Sequence, residues 1–151
     1  MFVILPYNGN GTAAGADNVL LIAHAENSMG MTHVTVAVCN PKDTERRWEG
    51  LFLVDTGALD CLVPGNRLRE VGIEPEGERV YELADGSQMT FPIGSARFEF
   101  MGEFVPANVI FAADDVEPIL GMIALESVGI EVDPRNQRLK RLPAVRLKLV
   151  R

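Results

Sequence analysis

The alternation of apolar and polar residues becomes regular at His33 and predicts a series of short β-strands. From His33 to Val38 a valine stands at every second position, so the valines share one face of a strand. The segment Trp48 to Val54 predicts a second strand, and its nearly unbroken apolar end is typical of a strand buried on both faces. Cys61 to Val63 predicts a third, short strand.

Turn signals divide the following residues into hairpins. Asp85-Gly86 is a strong hairpin signal, and Met101-Gly102 and the segment Asp133 to Asn136 predict two further turns. Two short helices are expected, one from Pro64 to Gly72 and one from Met122 to Val128. Many short strands separated by regularly spaced turns indicate an all-β protein, either a closed barrel or a sandwich.

The first thirty residues do not share this pattern. The glycine-rich segment Asn8 to Gly15 resembles a dinucleotide-binding loop only poorly, because no βαβ unit surrounds it. A flexible turn is the better interpretation, and Val19 to Ala25 fits either a short strand or a helical turn. We therefore expect an N-terminal extension over residues 1–30, a single domain over 31–143, and a basic C-terminal strand or tail over 144–151.

The charge is unevenly distributed along the chain. The net charge is −7, yet every acidic residue lies at or before Asp133, and the residues after it carry only positive charges. Such a tail could bind nucleic acid, or it could lie against its own acidic body or that of a partner chain. The second interpretation is favoured because the tail has no interleaved aromatic residues and the acidic body would repel phosphate. No nucleic-acid partner is expected.

Few residues suggest a metal, a cofactor or a membrane. Cys39 and Cys61 form no disulfide framework and match no metal-binding spacing, so we expect no metal and no cofactor. Their number is consistent with a reducing, cytoplasmic setting. The apolar stretches are too short to span a bilayer, and no membrane partner is expected.

One segment carries most of the chemical information. Val54-Asp55-Thr56-Gly57-Ala58 directly follows an apolar strand, which places a carboxylate at the buried end of that strand in a tight turn. An unpaired carboxylate there would cost several kcal/mol, and proteins keep such groups mainly for function. Three other families that use a strand-end Asp do not fit. Haloacid dehalogenases need a second Asp at the position of Gly57, P-type ATPases need Lys at Thr56, and actin-like kinases need two large domains.

The chain resembles the retropepsin-like aspartic proteases, and above all their small single-domain bacterial members. In that family an Asp-Thr-Gly-Ala loop is held by a later segment of two apolar residues and Gly, here Ile119-Leu120-Gly121. A hairpin between the two covers the substrate, and here this flap hairpin would be Tyr81 to Phe91. The resemblance covers residues 32–142. It implies a closed β-barrel with one or two short helices, and the single Asp-Thr-Gly excludes the two-lobed pepsins.

The resemblance also implies a mechanism and a set of site residues. Two chains would form a homodimer in which two Asp55 carboxylates share one proton and activate a water against a peptide bond. The residues assigned to the catalytic loop are Asp55, Thr56 and Gly57. Those assigned to substrate binding are Ala58, Asp60, Ala84, Asp85, Gly86 and Ser87. Those assigned to support of the loop are Ile119, Leu120 and Gly121.

Two positions depart from the retroviral pattern. Met122 stands where many relatives carry a charged residue that braces the dimer, and Leu59 stands where they carry Asp, with Asp60 following it. Asp60 could contact substrate or cap a turn. The sequence therefore predicts an aspartic endopeptidase acting on extended, largely apolar peptides. A non-catalytic dimeric peptide-binding or assembly module of the same fold is the alternative.

Overall fold

The structure is a computed structural model that describes residues 31–145 and the backbone of two strands, Phe2–Pro6 (β1) and Val19–Ala23 (β2). β1 and β2 pair antiparallel with each other. The segment left open between strand and helical turn is therefore a strand as far as Ala23. The glycine-rich segment 8–15 and residues 146–151 of the basic tail lie outside the described residues.

Short strands account for most of the remaining secondary structure, and the two helices have six residues each. The predicted all-β class with one or two short helices is confirmed. No helix in residues 31–145 is long and apolar enough to cross a membrane. In chain order the elements are β3 (Thr32–Asn40), β4 (Asp43–Val54), β5 (Cys61–Pro64), α1 (Gly65–Glu70), β6 (Gly77–Glu82), β7 (Gln88–Phe100), β8 (Glu103–Ala112), β9 (Ile119–Leu120), α2 (Met122–Ser127), β10 (Ile130–Asp133) and β11 (Arg138–Arg141).

Seven strands form one sheet in the order β3-β4-β9-β5-β8-β7-β6, and β3 also pairs with β7. Six of them therefore form a closed circuit of pairings, while β6 pairs with β7 alone. Two pairs in the circuit are parallel, β4 with β9 and β5 with β8. The strands β10 and β11 form a separate antiparallel pair. The circuit brings the ends of β4, β5 and β9 together at one place.

The hairpins turn where the sequence predicts. Met101 and Gly102 join β7 to β8 with φ angles of 52° and 77°, the left-handed backbone that a two-residue hairpin of this kind requires. The predicted turn at Asp85-Gly86 lies between β6 and β7, with Gly86 at a φ of 83°, and the turn predicted from Asp133 to Asn136 lies between β10 and β11. These local signals work because each turn depends on the conformation of only two to four residues.

The core consists of two apolar clusters. The larger one lies inside the circuit of strands, where the fully buried rings of Phe52 and Phe98 meet edge to face with centroids 6.5 Å apart. The smaller one includes Leu62 of β5, Phe91 of β7 and Ile119 of β9. Burial of each such side chain stabilises the fold by about 1.5–3 kcal/mol.

One expectation for β4 needs correction. Its final residues, Phe52 to Val54, are buried as predicted, but Leu51 is 60% exposed. The strand is therefore buried on both faces only over its last three residues. Leu51 lies on the face of β4 opposite to Phe52 and Val54, which belong to the larger core cluster, and on that opposite face only Leu53 is buried among these four residues.

Candidate active site

The loop that follows β4 holds Asp55 in a fixed orientation. Asp55 is only 7% exposed, and its Oδ1 accepts the backbone N–H of Gly57 at 2.8 Å. The Ala58 N–H donates to the backbone oxygen of Asp55 at 3.2 Å, which closes the turn. A glycine at position 57 suits this turn, because a Cβ there would lie 3.2 Å from the same carboxylate oxygen.

The second carboxylate oxygen of Asp55 is different. Oδ2 is buried and has no hydrogen-bond partner among the described residues. Burial raises the pKa of Asp55 above its ordinary value of 3.8, and the Gly57 N–H opposes this only in part. A carboxyl group in this setting retains a proton more readily than an exposed one, which suits a group that exchanges a proton during a reaction.

The segment that contains β9 holds the loop from the other side. The Asp55 N–H donates to the Leu120 oxygen at 3.1 Å, and the Met122 N–H donates to the Ala58 oxygen at 2.8 Å. The Ile123 N–H reaches the Leu59 oxygen at 3.2 Å. These backbone contacts tie β9 and the start of α2 to both ends of the loop, so the loop is fixed by main chain rather than by side chains.

Gly121 is required by the close approach of two backbones. A Cβ at this position would lie 2.6 Å from the Asp60 oxygen and 2.7 Å from the Leu59 oxygen. Its N–H points toward the buried Sγ of Cys61 at 3.5 Å. Burial raises the pKa of the Cys61 thiol to about 12, so this cysteine is not a nucleophile at neutral pH.

A cleft of about 210 Å³ opens beside the carboxyl group of Asp55. Its walls are mostly apolar, with a few acidic groups and one phenol. The residues that line it are Asp55, Gly57, Ala58, Leu59, Asp60, Leu62, Tyr81, Glu82, Leu83, Ala84, Ile110 and Ile119. Such a cleft suits an apolar side chain of an extended ligand whose backbone passes the carboxyl group.

Asp60 lies in the wall of this cleft with its side chain only 3% exposed. Its Oδ2 accepts the Tyr81 hydroxyl at 2.7 Å and the Arg79 Nη1 at 3.3 Å. Both partners come from β6, at the base of the flap hairpin. Of the two roles that the sequence left open for Asp60, contact with substrate and capping of a turn, the cleft wall is consistent with the first, which stays a prediction.

The tip of the flap hairpin does not reach the cleft. Ala84 lines it, but Asp85, Gly86 and Ser87 do not. Asp85 instead accepts hydrogen bonds from the Ser87 hydroxyl and backbone N–H, which lower the pKa of its carboxyl. The assigned substrate-binding role of these three tip residues stays a prediction. The exposed side chain of Thr56 likewise forms no contact that tests its role.

Sequence reasoning did not assign several residues of the cleft wall. These are mostly apolar side chains that carry no chemical signal of their own, namely Leu59, Leu62, Tyr81, Glu82, Leu83 and Ile110. Only the register of β6 against β7, which places Tyr81 opposite Met89, turns the Tyr81 side chain toward the cleft. His33 also has a partner that the sequence did not suggest, since its Nε2 lies 2.8 Å from Glu117.

Comparisons with known proteins give fold similarity only. No protein-family model matches the chain, and no curated protein matches it. The chain is similar to a foamy viral protease-reverse transcriptase in complex with an RNA/DNA hybrid, with 21% identity and a TM-score of 0.47. That match covers 64% of this chain and 12% of the other, so the chain spans about an eighth of it. It is also similar to the solution structure of simian foamy virus (mac) protease, with 18% identity and a TM-score of 0.45, over 62% of this chain and 91% of that one.

Proposed function

We propose that the chain is a retropepsin-like aspartic endopeptidase that provides half of an active site and works as a homodimer. The observation that carries the proposal is the Asp55 carboxyl group at the end of β4. One of its oxygens is fixed by the Gly57 N–H, the other is buried without a partner in residues 31–145, and the residue lines an apolar cleft. Because a buried, unsatisfied carboxylate oxygen is costly, a second acid or a bound substrate is the natural partner for it.

The proposed reaction needs two copies of Asp55. Two carboxyl groups at hydrogen-bonding distance cannot both be ionised, so they share one proton and titrate as a pair. The ionised group takes a proton from a bound water while the protonated group polarises the scissile carbonyl. The intermediate is a tetrahedral diol, and no acyl-enzyme forms.

The surface around the loop supports the meeting of two copies. Leu59 is 60% exposed and Ile123 is 38% exposed, and the Ile123 N–H donates to the Leu59 backbone oxygen, so these two exposed apolar residues belong to neighbouring segments. Thr56, in the same loop as Leu59, is also exposed. Leu59 would bring an apolar contact to the dimer at one of the two positions where the sequence departs from the charged retroviral pattern, and Ile123 directly follows the other, Met122.

The test is cleavage of a peptide library by the wild-type chain and by Asp55→Asn. Asp43→Asn is a matched control, because Asp43 is an exposed acid at the opposite end of the same strand. We expect wild type and Asp43→Asn to cleave apolar peptides, and Asp55→Asn to lose activity by at least about 10²–10⁴-fold. Equal cleavage by Asp55→Asn would refute the proposal, and peptide binding without cleavage in all three chains would favour the non-catalytic module.

A further inference from the structure

β6 is the one strand of the seven-stranded sheet that lies outside the circuit of pairings, and among the described strands it pairs only with β7. Five of its six residues are exposed, and Tyr81 is the exception. An edge strand with so little buried surface depends on few contacts for its position. The contacts of Tyr81 therefore decide how firmly β6 lies over the cleft.

Tyr81 makes two contacts that hold β6 in place. Its ring packs edge to face on Phe91, which is fully buried, with centroids 5.8 Å apart. Its hydroxyl donates to Asp60 Oδ2 at 2.7 Å, and this bond crosses from β6 to the segment that continues the Asp55 loop. Asp60 and Tyr81 both line the cleft, and their hydrogen bond joins β6 to the segment that follows the Asp55 loop.

The acceptor is well suited to this role. The Asp60 side chain is almost completely buried, and a buried carboxylate is stable only with charge-assisted partners. Arg79 Nη1 supplies the positive charge at 3.3 Å, from the same strand as Tyr81. Both groups that satisfy Asp60 therefore belong to β6, and movement of this strand away from the cleft would leave the carboxylate unpaired.

We propose that Asp60 and Tyr81 form a latch that fixes β6 over the cleft, which makes Asp60 a positioning residue for substrate capture. The structural half of this proposal concerns the resting chain alone. The half that concerns substrate capture rests on the proposed function. In this view Asp60 acts on substrate through the position of Tyr81, and the width of the cleft depends on one partly buried hydrogen bond.

The structural half is tested by hydrogen exchange of the full-length chain, compared between wild type, Tyr81→Phe and Asp60→Asn. Ser95→Ala is the matched control, because it removes a hydroxyl that donates to Glu76 at 3.2 Å outside the cleft. We expect exchange in residues 77–93 to be about tenfold faster in Tyr81→Phe, the loss of about 1.4 kcal/mol that one charge-assisted bond provides. Exchange in β8 should stay unchanged.

The double variant shows whether the two residues act through one bond. If they do, adding Tyr81→Phe to Asp60→Asn changes exchange much less than it changes wild type. Exchange in Tyr81→Phe that equals that of Ser95→Ala would overturn the latch. So would acceleration that extends equally into β8, because that result means loss of global stability.

Kinetics test the second half. With a cleaved peptide, Tyr81→Phe should raise KM by about tenfold while kcat changes by less than about twofold, because the latch positions β6 without taking part in proton transfer. An equal loss of kcat with KM unchanged would contradict a role in capture. Faster exchange in a chain that cleaves no peptide would keep the latch and reject the proposed function.

Discussion

The two oxygens of Asp55 have different environments, and this difference determines both the orientation of the carboxyl group and its tendency to hold a proton. The Gly57 N–H fixes Oδ1, so the carboxyl group cannot rotate freely, and Oδ2 is buried with no hydrogen-bond partner among the described residues. A hydrogen bond to the backbone favours the ionised form, but burial favours the neutral form and is the larger influence. The carboxyl group of Asp55 is therefore held in one orientation by the Gly57 N–H, and its burial favours the protonated form.

This setting predicts how stability depends on pH. Because the folded-state pKa of Asp55 is raised above 3.8, the protonated group contributes stability that is fully present below that pH and is lost as pH rises through the raised pKa. Asp55→Asn has no such proton. Between about pH 3 and about pH 7, wild type should therefore lose more thermal stability than Asp55→Asn.

Thermal melts of both chains across this pH range check the prediction. Asp43→Asn, which keeps the buried acid, should follow wild type. If the stability difference between wild type and Asp55→Asn were the same at every pH, the carboxyl group would not be perturbed by folding.

The sequence identifies Asp55 as a candidate catalytic residue, but it does not predict the contact that Asp60 makes. Asp55 is recognisable because an acid after an apolar strand contradicts the local pattern. The partner of Asp60 is Tyr81, 21 residues further along the chain, and only the fold of the hairpin brings the two together. Such a contact depends on strand register, which no local pattern of residues determines.

At the scale of elements, hairpins are predictable and β9 is not. The Met101-Gly102 turn is predictable because its own residues favour the turn conformation. The helix α1 is predictable because Gly72, at a φ of 81°, follows its end. Ile119–Leu120 is a strand of only two residues. It exists because it fits between β4 and β5, so tertiary pairing determines it and local propensity does not.

The fit of β9 predicts the effect of Gly121→Ala. The added Cβ would meet backbone oxygens of Leu59 and Asp60 at 2.6–2.7 Å, and backbone cannot move aside as a flexible side chain can. We expect a loss of about 1–3 kcal/mol in the free energy of unfolding, measured by urea denaturation. Cleavage activity should fall as well, because the same backbone carries the Asp55 loop.

Gly77→Ala is the control for this experiment. Gly77 has no heavy atom within 4 Å of an ideal Cβ, so its substitution should change the unfolding free energy by less than about 0.5 kcal/mol. Two variants of equal stability would show that the backbones around Gly121 leave room for a Cβ, which would contradict the prediction.

At the scale of the molecule, the circuit of strands joins distant parts of the chain. The regular spacing of turns predicts many short strands, but the parallel pairing of Val54 with Leu120 follows from the global topology. This topology places one buried carboxyl group after the end of β4, and one of its oxygens has no hydrogen-bond partner in the part of the chain that the structure describes. The individual chain is then complete as a fold but contains only half of the proposed chemistry.

If each chain supplies half of the active site, the inactive variant Asp55→Asn should reduce the activity of wild-type chains mixed with it. If two chains must each supply Asp55, a mixed dimer of wild type and Asp55→Asn has one carboxyl group and is inactive. With a tenfold excess of Asp55→Asn and free exchange of subunits, only about one wild-type chain in ten pairs with another, so activity should fall about tenfold. A chain that carries a complete site by itself would keep its full activity in the same mixture.

The control for this experiment separates mixing from other effects of added protein. A tenfold excess of an unrelated protein should leave activity unchanged, and added Asp43→Asn should raise activity because it contributes competent half-sites. Dilution of wild type alone should reduce activity faster than linearly, since separated chains lack the second acid. Activity that is unaffected by Asp55→Asn, even after a cycle of dilution and reconcentration that allows exchange, would show that two Asp55 residues do not share one site.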